Sequence, residues 1–258
     1  MPTVRLESRA WLRTAARPGP GRWAWTLVAV GWLGLLLPQL SHRDTRPHAT
    51  TAMHDMPGMP AMDAGPAWWS ELGAHVLMWL AMALATMLPL VVWNLRQVGA
   101  RSPRARRTAA TADVAAGWMS VWLGAGVVLS AAALVAMRAT SSVLVTTVAV
   151  AVAVAWQPTA VKRVAVARCH RTFAPPLGPV ARRACARFGT TLGRDCLVAC
   201  WPSMLVMTAA GHRLTVVVPL AWLSWRDRRR PHDRPGTWVS VAVLLLVGVL
   251  AALVAHRG

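Results

Sequence analysis

The sequence predicts an all-α fold, a polytopic transmembrane helical bundle of about seven spans. Three observations carry this. First, 55% of the 258 residues are hydrophobic and only 14% are charged, with a mean hydropathy of +0.42. A soluble domain carries about 25% charged residues. Second, the net charge of +19 is not spread over the chain. The arginines sit in short clusters between long apolar runs, which is the pattern of membrane topology and not of a nucleic-acid surface. Third, there are 15 Trp, no Tyr and two Phe, and many of the Trp flank the apolar runs, as in an interfacial belt.

Residues 1–22, with Arg5, Arg9, Arg13, Arg17 and Arg22, form a basic cytoplasmic arm. The first span is 23–40. A basic stretch ahead of an apolar run also fits a cleaved signal peptide, but Leu35 to Leu40 offers no small-x-small cleavage site, so the run reads as an uncleaved anchor. Residues 41–70 form an extracytoplasmic loop. Residues 71–228 read as a membrane domain of five spans, and 229–258 as a last span with its tail.

Within that domain the second span, 72–93, is about 33 Å long as a helix at 1.5 Å per residue, enough for a bilayer core. Residues 94–113 are an arginine-rich inside loop. The third span is 114–137 and the fourth 143–158. The Val-Ala alternation of the fourth resembles a strand, but lipid does not tolerate an open strand edge. Residues 159–189 are a second basic inside loop, broken by Phe173-Ala-Pro-Pro-Leu-Gly-Pro. The fifth span is 191–209, and Gly211-His212-Arg213 is an outer turn. Residues 214–225 are apolar but only about 18 Å long. The arginines from Arg226 to Arg234 place the next segment inside, so 214–225 must cross with local thinning or in a buried position. The last span is 238–255. Most of the 28 Lys and Arg then fall on one side. The expected location is the bacterial cytoplasmic membrane, multi-pass, with the N-terminus inside, the C-terminus outside and the lipid bilayer as a partner.

The 41–70 loop carries the clearest chemical signal. Met53, Met56, Met59 and Met62 recur every third residue, with His54 among them. Pro57, Gly58 and Pro60 rule out a regular helix or strand, so these methionines are not one face of a buried element. Thioether sulfur suits Cu(I), and imidazole suits copper more broadly. The competing reading is a low-complexity linker. The loop has no basic excess, which favours capture of a cation.

In the second span His75, Met78 and Met82 share a helix face, with Met87 further along. Methionine packs well between helices, but an ionisable His on the same face points to a pathway. The spacing is similar to the membrane methionine motif of eukaryotic copper-uptake transporters. In the fifth span Cys196 and Cys200 are i, i+4, and thiolate binds soft metals strongly. Pro202 removes a backbone hydrogen bond and frees the carbonyl of Val198 beside them. Two buried cysteines acting as small hydrophobes is the plainer alternative. Cys169 and His170, with Cys185, lie in the second inside loop, where neighbouring arginines are expected to lower the thiol pKa values. Asp113 and Asp195 are the acids that flank the later spans.

Several stretches carry a resemblance as a set. They are Met78-Trp79-Leu80-Ala81-Met82 through Met87-Leu88-Pro89, Gly117-Trp118 through Trp122-Leu123-Gly124, Gln157-Pro158 through Lys162-Arg163, and Gly193-Arg194-Asp195-Cys196 through Cys200-Trp201. From about residue 70 to 228 the chain resembles a bacterial integral-membrane family of predicted metal-binding proteins, a domain of unknown function. The resemblance implies a metal site but supplies no reaction. It departs from the family pattern at Ala165 and Ala199, where the family carries cysteine, and at His212-Arg213, where it carries Met-Asn.

No nucleophile–base arrangement, Gly-rich phosphate loop or paired carboxylates occur, so the sequence favours metal handling over an enzyme. The leading reading is copper capture, transfer or transport, with Cu(I) as the ion and a periplasmic or cell-surface metal-carrier protein as a partner. No nucleic-acid partner is expected. The alternatives are a membrane thiol oxidoreductase using Cys196 and Cys200, and a metal-free scaffold. The orientation is checked by cysteine-accessibility labelling. A probe at Ala61 should react from outside and one at Ala105 only from inside; reaction of both from one side would overturn it.

Overall fold

A computed structural model describes residues 22–44, 68–229 and 234–255 of the chain. Within these the chain is helical throughout, which bears out the all-α class. The Met/His loop with Met53, His54, Met56, Met59 and Met62 lies outside the described residues.

Helix α1 is Arg22–Asp44 and contains Pro38. Helices α2, Trp68–Met82, and α3, Leu88–Arg101, form one continuous rod joined by a π-helical turn over Ala83–Met87. The wide turn precedes Pro89, whose missing N–H and bulky ring disturb a regular α-helix at that place. Thr86 donates its hydroxyl to the Met82 carbonyl there. A Cβ on Gly31 of α1 would stand 2.7 Å from both Ala81 O and Ala85 N, so α1 packs directly on the bulge because Gly31 has no side chain.

Helix α4 is Arg107–Ala139, α5 is Ser142–Trp156 and α6 is Ala160–Arg168. The axis bends by 76° between α5 and α6. Pro158 stops the first helix, and Thr159 starts the second by accepting a hydrogen bond from Lys162 N. Helix α7 is Ala181–Ala209, α8 is Leu214–Arg229 and α9 is Arg234–Ala255.

The arginine-rich stretches 94–113 and 159–189 are largely helical, contrary to the expectation of loops. Helix α3 runs on to Arg101, α4 starts at Arg107, and α7 starts at Ala181, well before the expected span at 191. Arginine is a good helix former, so hydropathy marks where a helix turns polar and not where it ends. The real breaks are at Pro103 and at 171–180, where Pro175, Pro176 and Pro179 cluster and Gly178 has φ +83°.

Among the described residues three helical passages are long and apolar enough to cross a membrane, Arg22–Leu40, Trp68–Arg101 and Arg104–Ala139. The bent α5–α6 pair makes a fourth if counted as one span, and Thr237–Val249 is a shorter apolar stretch. The count of seven expected from hydropathy is therefore not reached by length and composition alone. The shortfall has clear causes: α7 carries Arg182, Arg183, Arg187 and Arg194 in its first half, and α8 has only 16 residues.

Helix α4 packs along α7 with almost no gap. A Cβ on Gly117 would lie 2.2 Å from Ala186 O, and one on Gly189 would lie 2.0 Å from Val114 O. Small residues let helix backbones meet in this way where lipid offers no hydrophobic drive for association. Beside this crossing Trp118, Trp122 and Trp79 are fully buried, and Trp79 Nε1 donates to Trp122 O at 3.0 Å. Gly189→Ala should therefore lower the melting temperature in detergent, by overpacking worth about 1–3 kcal/mol or more. Gly124→Ala, whose Cβ would meet nothing within 4 Å, should be neutral or stabilising by up to about 1 kcal/mol. Equal melting of both variants would contradict the close crossing.

Candidate metal centre

The expected pair, Cys196 and Cys200, lies on one face of α7, but the structure adds a third thiol. Cys169 caps α6 and lines the same cavity as Cys196 and Cys200. The rest of the wall includes Lys162, Ser203, Ser224, Asp227 and Arg228. The cavity volume is about 20 Å³, room for one water-sized sphere. Cys169 and Cys196 are buried and Cys200 is half-buried, and all four cysteines of the chain are free thiols.

Cys169 reaches this place through a chain of polar contacts. Asn94 of α3 is buried and donates Nδ2 to the carbonyls of Cys169 at 3.3 Å and Arg171 at 3.2 Å. Its Oδ1 accepts from Arg228 Nη2 at 2.8 Å. Arg228 also donates to Cys169 O at 2.9 Å and, through Nη1, to Cys196 Sγ at 3.6 Å. One asparagine and one arginine thus clamp the end of α6 against α3, α7 and α8. A second polar contact ties the neighbouring helices. Lys162 pairs with Asp227 and donates to Gln157, and Asp227 accepts from Ser240 of α9 at 3.1 Å.

Pro202 acts as the sequence suggests. The Val198 carbonyl that it frees accepts from Trp156 Nε1 at 3.0 Å, which ties α5 to α7 one turn from the cysteines.

The arginines do not lower the thiol pKa values of Cys169 and Cys185. The Cys169 thiol is raised, first by its hydrogen bond with Cys196 and then by burial. The Cys185 thiol is raised by burial and by Asp113, and Arg106 opposes this only in part. Counting nearby arginines missed that both thiols are inside the fold, where the Cys196 hydrogen bond and burial outweigh the opposing pull of Arg228 on Cys169, and burial outweighs that of Arg106 on Cys185. Arg182 is mostly exposed where it pairs with Asp113 at 3.3 Å.

The other sequence candidates are placed as follows. His170 is exposed and does not line the cavity. Met82 and Met87 are fully buried, and His75 and Met78 are half-buried. Asn94, Asp227 and Arg228 were missed. Asn94 had a readable signal, a polar side chain in an apolar run, whereas Asp227 is hidden in an arginine cluster. Among the described residues no three His, Cys, Asp or Glu side chains are already gathered around one metal position. The three thiols share the wall of one cavity.

A buried thiol triad with guanidinium and ammonium groups beside it suits a soft, low-charge ion. Thiolates prefer Cu(I), and three of them with one Cu(I) carry net negative charge that Arg228 would offset. The arrangement is that of a helical bundle with three free thiols on the wall of one internal cavity. The chain belongs to the PpoB2 copper chaperone family, whose model matches residues 76–251. No curated protein and no solved structure matches it.

Asn94→Leu keeps the bulk but strands the Arg228 guanidinium and two carbonyls. Each lost hydrogen bond to a charged group is worth about 1.5–3 kcal/mol. Cys169 should then be alkylated by a maleimide several-fold faster than in the parent, as read by mass spectrometry of the labelled peptide. An unchanged rate would show that Asn94 does not hold Cys169 in place.

Proposed function

We propose that this chain is a Cu(I) chaperone embedded in the bacterial cytoplasmic membrane, with seven passages, the N-terminus inside and the C-terminus outside. The observation that carries the proposal is the cavity shared by Cys169, Cys196 and Cys200. Membership of a copper chaperone family supplies the ion, and the soft donor set agrees with it.

The direction of the helices supports the topology. Contacts join residues that the seven-passage reading puts on the same side. Gln39 donates to His212 O at 3.0 Å, and Thr146 donates to Ala209 O at 3.2 Å, both on the outer side. Asn94, Cys169 and Arg228 meet on the inner side. The short helix α8 has its inner end held by Arg228 and buries Leu220 and Leu223 on one face, while Val218 and Trp222 on the other are exposed, so it lies against the bundle with an apolar face turned outward.

In this reading the Met/His loop captures Cu(I) from a carrier outside, and the face of His75, Met78 and Met82 leads inward. The cysteine cavity holds the ion until a protein thiol takes it by ligand exchange. Binding displaces protons from the thiols as thiolates form. Arg228 supplies a fixed positive charge at Cys196 Sγ, and Asn94 fixes the position of the Cys169 backbone.

The test is copper content and coordination in the purified protein. Serine at Cys169, Cys196 and Cys200 keeps the approximate size and removes the soft donor. The triple variant should lose the copper that shows sulfur neighbours near about 2.3 Å in X-ray absorption. An unchanged copper content and sulfur shell would make these cysteines packing residues. Conversion of the thiols to a disulfide with turnover of a thiol substrate, without copper, would favour the oxidoreductase reading.

A further inference from the structure

The far end of the bundle holds two imidazoles that the cysteine cavity does not use. His212 stands in the turn between α7 and α8, with φ +56°, and is only 5% exposed. Among the described residues its Nε2 is buried without a hydrogen-bond partner. Among the same residues Nδ1 of His75, on the first half of α2, is likewise buried and unpartnered. An unmade hydrogen bond at a buried nitrogen costs about 1–3 kcal/mol. Of the buried side-chain atoms without a partner among the described residues, these two are the imidazole nitrogens, the ones able to take a metal ion.

The turn is held for this position. His212 N donates to Met207 O at 2.8 Å, its carbonyl accepts from Gln39 Nε2, and Gln39 Oε1 in turn accepts from Leu214 N at 3.3 Å. Helix α1, which carries Gln39, also packs along α2, which carries His75. The backbone is therefore fixed at three points while the imidazole nitrogen is left open. Gly31 and Gly34 of α1 lie against Ala85 of the π-helical turn and Ala81 of α2, so the two helices run antiparallel and Gln39, further along α1, comes level with the turn of α2 that carries His75. A neutral imidazole nitrogen without a hydrogen carries a free lone pair, the form that binds metal.

We propose that His75 and His212 form a second copper site, a two-imidazole entry point for Cu(I) at the end of the bundle opposite the cysteine cavity. The proposal rests on the reading of the chain as a copper-handling protein and names where the ion first enters the fold. Charge selects the ion. Glu71, one turn before His75 on the same face, is taken by Arg138. With that carboxylate occupied, a divalent ion would bring a much larger desolvation cost than a monovalent one. Imidazole is an accepted copper ligand, and Cu(I) is stable with two donors in a line. The α8 helix, about 24 Å long at 1.5 Å per residue, separates this site from the cysteines.

Copper(I) per chain, measured on the full-length protein in detergent against a competing chelator, tests this. The loop contributes equally to every variant. His75→Gln with His212→Asn, Asn being tolerant of positive φ, should bind one copper fewer than the parent and keep the sulfur shell. The triple serine variant should instead keep a copper with nitrogen neighbours near about 2.0 Å. The combined variant should lose both. If the histidine variant keeps the parent's copper content and nitrogen shell, the proposal is overturned. If the serine variant alone is unchanged, the cysteine cavity fails while the histidine site stands. Should His212→Asn not fold, His75→Gln alone decides, because its half-buried ring has an unpartnered nitrogen; full copper retention in that variant overturns the site.

Discussion

The crossing of α4 and α7 is the constraint on which the rest depends. At Gly117 and Gly189 each helix presents bare backbone to the other, and a single methyl group would collide with a carbonyl oxygen about 2 Å away. In a membrane, helices gain little from burying apolar surface, so such van der Waals closeness must supply the association. Further along the same seam, a Cβ on Gly193 would touch Trp118 O and Val121. Cys196, three residues on, is set by this seam to face the inner wall near Trp118 and not the lipid. The position of Cys196 therefore follows from glycines that carry no side chain of their own.

The second organising device is polar and sits at one end. Asn94, Arg228, Lys162 and Asp227 are costly groups to bury, and each has its partners. Their geometry brings α6 back across the bundle after the 76° bend, which a purely apolar contact would not direct. A half-satisfied set would be worse than none, so Asn94 and Arg228 must be read together. The cavity lies between the glycine seam and this polar clamp, and the two together set where the thiols stand.

Much of the architecture is legible in the sequence, and the reasons for the exceptions are physical. Apolar runs and arginine clusters give the helices and their alternation. Pro202 gives the free Val198 carbonyl, although not its acceptance of Trp156. The ends of helices are not legible from hydropathy, because arginine continues a helix as readily as leucine does. Cys169 was readable as a thiol in a basic segment and not as the third member of the pair in α7. That meeting is made by Pro158, Thr159 and Asn94, which are far apart in sequence, so no local pattern reveals it. His212 was legible only as a departure from a family pattern, and its unpartnered Nε2 is a property of the fold. The Met/His loop, the strongest signal in the sequence, lies outside the described residues.

The two ends of the bundle differ in ligand softness, and this has an energetic consequence for the proposed path. Thioether and imidazole donors are neutral, so a Cu(I) ion bound to them keeps its full positive charge. Thiolates neutralise it and bind it more strongly. An ion entering near His75 and His212 would therefore move downhill towards Cys169, Cys196 and Cys200 without any external energy. The cost appears at the last step, because a deep thiolate site releases copper slowly unless another thiolate enters the coordination shell. Cys200 is the half-buried member of the three, while Cys169 and Cys196 are buried. The cation at Arg228 works the other way: it repels free Cu(I) but stabilises the loaded, negatively charged thiolate complex. A site that is weakly attractive when empty and stable when full suits a carrier that accepts its ion from bound ligands and not from solution.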